Sequence, residues 1–138
     1  MFEIDVTDSA VRATGNLVGR LQDFNGPLGE TGALLERKAK LRFTKQQDPG
    51  GKPWAPLQPA TLKRKKTKAI LRETGSMAAS IAFNVSGDEV RVKPSVAYSI
   101  FHQLGAPGRK LPARPFMGFE ADDAAQIGQI FRDHLEGR

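Results

Sequence analysis

General acid–base chemistry or a transition-metal centre in this chain would have to rest on His102 and His134, because 138 residues contain two histidines and no cysteine. No acidic pair lies at ligand spacing beside either imidazole, so neither a zinc nor a non-haem iron site can be assembled from the spacing. His102 falls one helical turn after Tyr98, a setting that suits a packed or hydrogen-bonded ring better than a base. Ser76 lacks the strand–turn–helix context of a nucleophile elbow, and no glycine-rich phosphate loop precedes a helix. Asp122 and Asp123 are accounted for by the positive end of a helix. These residues point to no active site, no metal and no cofactor.

The residues that could bind are more numerous. Lys63, Arg64, Lys65, Lys66 and Lys68 form a basic run in a chain of formal net charge +6. Such a run is either a solvated face or a contact for polyanions or acidic surfaces, where affinity would be salt-dependent and blind to sequence. Base readout would want aromatic side chains among the charges, and none lies between Trp54 and Phe83. Trp54 itself stands among prolines, where it either pins a long loop to the core or offers a rigid hot spot to a partner. Pro112 and Pro115 bracket Ala113-Arg114, so this backbone loses little entropy on ordering, and the guanidinium can fork onto a carboxylate. That stretch is either a pre-ordered interface or a rigid turn closing the domain.

The elements that must position these groups follow from periodicity. Phe2, Ile4 and Val6 alternate with acids, as in a short strand. Asp8 or Ser9 caps a helix whose apolar face is Val11, Leu17, Val18, Leu21 and Phe24, ended by Asn25-Gly26-Pro27. A second helix runs from about residue 28 to 44, with Leu28, Leu35, Ala39 and Phe43 on one side and Arg37, Lys38, Lys40 and Arg42 on the other. Prolines and glycines then forbid regular structure over 46–62, and Pro59 opens a charged helical stretch. Thr74 caps a turn over 77–80, and alternation about Ser86-Gly87-Asp88 predicts a β-hairpin over 81–93. Ser95 caps a helix bearing Ala97, Tyr98, Phe101 and Leu104 that ends at Gly105. A short strand near Phe116 precedes a last helix over 121–135, buried along Ala124, Ile127, Phe131 and Leu135. The expected fold is α+β: a small antiparallel sheet packed with four to five helices in a single domain, 1–138, with a Pro/Gly-rich loop and basic segment at about 46–69.

Three blocks in this order resemble one family. "FTKQQDPGGKPWAPLQPATLKRK" (43–65), "ILRETGSMAASI" (70–81) and "AYSIFHQLG" followed by "LPARPFMGF" are similar to blocks of the tailed-phage virion morphogenesis and tail completion family. The resemblance covers roughly 28–136, with Met77 at a usual leucine and Ser99-Ile100-Phe101 altering the tyrosine-to-histidine spacing. It implies non-enzymatic, structural work in the virion, completing the tail end or forming part of the head–tail neck, as a homo-oligomeric ring contacting other neck or tail proteins. The subunit interface would draw on Trp54, Leu57, Tyr98, His102, Arg114 and Phe116. The competing expectation is a basic DNA-binding protein, with the 63–68 run on phage DNA. Composition fits a soluble chain made in the host cytoplasm: 39% hydrophobic, 26% charged, with no apolar run long enough to span a membrane.

Overall fold

The computed structural model describes residues 8–57, 76–109 and 111–138. The expected strand at Phe2–Val6, the helix start at Pro59, the Thr74 cap and the basic run Lys63–Lys68 lie outside the described residues. Within them stand α1 (Asp8–Gln22), α2 (Asn25–Lys45), α3 (Ser76–Ala79), β1 (Ala82–Ser86), β2 (Glu89–Lys93), α4 (Ser99–Leu104), a 3-10 turn (Pro107–Arg109) and α5 (Asp123–Glu136). This is the small α+β fold expected, with β1 and β2 as an antiparallel pair.

Asn25-Gly26-Pro27 opens α2 rather than trailing α1. Proline lacks an amide hydrogen that a first turn could not have paired anyway, and the Asp23 carboxylate accepts the Asn25 N–H at 3.0 Å. The helix stops at Gln46, which adopts φ 54°, ψ 48° and returns its N–H to Arg42 O. Of the expected apolar side, Leu28, Ala39 and Phe43 are buried and Leu35 is half-buried. The basic side is not uniformly solvated: Arg42 is buried and Lys38 half-buried.

The hairpin pairs Ala82 with Lys93 through Ser86 with Glu89, closing on Gly87-Asp88. Its apolar face lies so close to α2 that a Cβ at Gly32 would stand 2.4 Å from the Phe83 ring. Ser95 does not cap α4. Its N–H turns back to Ser80 O at 3.2 Å, and the helix begins after Tyr98. Gly105 ends α4 at φ 80°, where a Cβ would collide with Ala113 N at 2.9 Å.

The core gathers Ala39 and Phe43 of α2 with Trp54, Met77, Ile81 and Phe116; Leu57, Val92, Val96 and Met117 pack against it. The Phe43 ring meets Trp54 edge-on at 5.5 Å and Phe116 at 5.3 Å. No strand forms at Phe116. That segment runs unpaired by any neighbouring strand because side chains satisfy its backbone, as described next.

Candidate functional site

Residues 46–57 and 111–120 meet beside the C-terminal end of α2, and polar side chains tie them together. Asp48 turns the first loop by accepting the Lys52 N–H at 2.8 Å, and the Trp54 N–H closes it onto Gln46 O at 2.9 Å. The Trp54 indole then donates to Pro115 O at 2.7 Å. Arg114 reaches back across the pair, Nε to Ala55 O at 2.9 Å and Nη2 to Pro56 O at 3.2 Å. Its fork therefore holds two carbonyls of its own chain and not a carboxylate. Burial pulls the guanidinium below its usual pKa while leaving it charged at neutral pH.

α4 fixes the same segment from its other side. Gln103 Oε1 accepts the N–H groups of Phe116 at 3.1 Å and Met117 at 3.0 Å, while its Nε2 donates to Met117 O at 2.9 Å. His102 O accepts the Arg114 N–H at 2.7 Å. Arg42 completes the set by donating to Phe116 O at 2.8 Å. Five carbonyls and two amides that a sheet would have paired are thus met by Trp54, Arg114, Gln103 and Arg42 (Ala55, Pro56, Pro115, Phe116 and Met117 supply the backbone groups, Phe116 and Met117 both kinds) only after the chain has folded.

The structure brings Trp54, Arg114 and Phe116 together in this knot, all buried, with Leu57 packed against the core they belong to. Tyr98, just before α4, and His102 on it form a T-shaped ring pair at 6.1 Å, and the exposed Tyr98 hydroxyl sits 3.3 Å from Ser76 Oγ. Gln103 and Arg42 were missed as site residues. Gln103 is inside the quoted "HQLG", where an amide with both donor and acceptor could have been flagged; Arg42 offered no signal beyond its place on a basic face.

A second polar cluster lies at the start of α5. Lys38 Nζ contacts Glu120 at 3.4 Å, Asp122 at 3.0 Å and the buried Asp123, and Arg42 reaches Glu120 at 3.1 Å. Burial pulls the Lys38 ammonium down, but the hydrogen bonds to Asp123 and Asp122 and the attraction of Asp123 outweigh it and hold its pKa above 10.5. The hydrogen bond from Lys38 likewise holds Asp122 below 3.8. The three carboxylates are spaced closely enough to ligate a cation, yet the lysine ammonium already sits among them. Asp123 Oδ2 also accepts the Glu120 N–H at 2.7 Å, so the cluster clamps α5 to α2.

Residues 5–136 match the phage virion morphogenesis family, so the likeness extends over α1 as well as the three motif blocks. The chain is 29% identical over 126 residues to the tail completion protein S of Escherichia phage P2, covering 78% of this chain and 81% of that one. It is 28% identical over 140 residues to the Mu-like prophage FluMu G protein 1 of Haemophilus influenzae, covering 97% and 94%. No solved structure matches it.

Proposed function

The chain belongs to the phage virion morphogenesis family, and from that premise we propose that it is a structural component of the virion that completes the tail, at its end or at the head–tail neck, working as a ring of identical subunits. The observation that carries this reading is the family match over nearly the whole chain, with a tail completion protein among the relatives. The architecture supports a structural role over an enzymatic one. The functional-looking motif residues Trp54, Arg114 and Gln103 bind backbone within the chain, and the closest carboxylate cluster is held by Lys38. Partners on this reading are other subunits and other tail or neck proteins. No helix among the described residues is long and apolar enough to cross a membrane.

An early stop codon in the gene tests this reading. Filled heads and tails that fail to join, seen by electron microscopy, are the expected outcome; normal infectious particles overturn it. The net charge of +6 and the 63–68 run favour a second reading, DNA binding. Submicromolar binding of labelled duplex at physiological salt, with a steep salt slope, would support it; weak binding without that slope removes it.

A further inference from the structure

Asn25-Gly26, the pair at which α2 begins, sets a side-chain carboxamide next to an unhindered backbone nitrogen. An asparagine cyclises when the nitrogen of the following residue attacks its Cγ, and a Cβ on that residue crowds the attacking atom. The chain holds three asparagines. Leu17 follows Asn16 within α1, and the β-branched Val85 follows Asn84, which is paired with Arg91 in the hairpin. Only Asn25 is followed by a residue without a Cβ.

The fold leaves this pair open to the reaction. Asn25 and Gly26 are both exposed, and a Cβ at Gly26 would meet nothing within 4 Å. In the first turn of a helix the Gly26 N–H has no intrahelical acceptor, and it finds none among the described residues. What fixes the start of α2 lies to either side of the pair. The Asp23 carboxylate accepts the Asn25 N–H at 3.0 Å, and the Leu28 N–H donates to Phe24 O at 2.9 Å. Opposed rotation of ψ at Asn25 and φ at Gly26 turns the peptide plane between them while both bonds stay in place. Glycine admits the φ values this needs, at the cost of one first-turn bond.

We propose that Asn25 is a site of spontaneous covalent modification. Gly26 N attacks Asn25 Cγ, the new N–Cγ bond replaces the bond from Cγ to the amide nitrogen, and that nitrogen leaves with the Gly26 proton as ammonia. Water then opens the resulting succinimide. Opening at Cγ gives aspartate, and opening at the main-chain carbonyl gives isoaspartate, in which the chain runs through the former side chain. Either product lowers the net charge by one from +6 and sets a second carboxylate beside Asp23. Isoaspartate also lengthens the main chain by a methylene at a tight place. On one side Phe24 packs on Phe131 and His134 of α5 at 5.7 and 5.9 Å, and on the other Pro27 and Leu28 are buried. The modification thus loosens the joint between α1 and α2, whatever role the chain has in the virion.

The full chain and its Gly26→Ala variant are held at mildly alkaline pH and digested with trypsin at intervals. The tryptic peptide 21–37 contains Asn25 and no other asparagine, and the same peptide free in solution is the reference. The expected product is heavier by about one dalton at Asn25 and is a substrate for isoaspartyl methyltransferase. Its rate of formation rises with pH, because the attacking nitrogen must lose its proton, and lies within about tenfold of the free peptide's, as at a fraying helix end. Gly26→Ala, whose methyl enters open space and leaves the circular dichroism unchanged, slows it at least about tenfold. Asn25 reacting no faster than Asn16 and Asn84, or more than about tenfold slower than in the free peptide, overturns the site. In the isoaspartate fraction the Leu28 amide should exchange its hydrogen faster; unchanged exchange overturns the loosening of the joint and leaves the modification.

Discussion

At the C-terminal end of α2 the aromatic rings of Phe43, Trp54 and Phe116 are sealed from water, while beyond its N-terminal end Leu17, Val18 and Leu21 of α1 remain in contact with it. Both regions are rich in large apolar residues at proper spacing. They differ in what closes them. Around Phe43 the loops 46–57 and 111–120 carry groups able to bond each other's backbone, so apolar burial is completed by directed bonds. α1 has one anchored turn and no second layer over its apolar face among the described residues. Apolar burial is concentrated at one end, and among the described residues apolar surface stays partly exposed at the other.

The comparison breaks most readily at the sealed end. Phe43→Ala should cost about 3–5 kcal/mol in denaturant unfolding of the full chain, since it leaves a cavity between two rings. A loss below about 1 kcal/mol would mean that this cluster is not the core. Gln103→Leu comes next, at about 2 kcal/mol, because the Phe116 and Met117 amides lose their acceptor while the side-chain volume is kept. Trp54→Phe keeps a ring against Phe43 but deprives Pro115 O of its donor, and about 1 kcal/mol is expected. If Trp54→Phe proves as costly as Phe43→Ala, packing rather than the hydrogen bond sets the value of this position.

The Lys38 cluster, between the two ends, gives a pH signature. Asp122 is depressed below 3.8, so its contribution is present above that value and lost as pH falls through its folded pKa. Lys38 is raised above 10.5, so its contribution is present below that value and lost as pH rises through its folded pKa. Melting temperature followed across pH should therefore be level for this cluster near neutrality and fall at both extremes. Lys38→Met should remove the alkaline fall and weaken the acid one; an unchanged profile would show that the cluster is not coupled to folding. The smallest effect on stability belongs to the open end. Leu21→Asp should shift unfolding by no more than about 0.5 kcal/mol, because this side chain is already about half exposed. A large stability loss there would mean that α1 is core, and the contrast between the ends would disappear.

Local pattern was sufficient for several elements. Alternation around Ser86-Gly87-Asp88 placed the hairpin, because strand periodicity and turn residues act over a few neighbours. The spacing of Leu28, Ala39 and Phe43 identified the buried side of α2 for the same reason. The ordered motif blocks identified the family before any contact was known. Orientation was decided elsewhere. The stripe on α4 correctly marks a helix, but which side faces inward depends on Gln103 finding the Phe116 and Met117 amides from fourteen residues away or less. The absence of a strand at Phe116 depends on the same bonds, together with Arg42 reaching Phe116 O across 74 positions. Arg114 could be recognised from sequence as a residue that would fork onto something; only the folded chain chose the carbonyls of Ala55 and Pro56. Secondary structure in this protein follows from interactions between near neighbours, which a sequence displays directly. The assignment of each polar group to a partner, and of each apolar face to core or surface, is a competition among distant segments that is settled only when they pack.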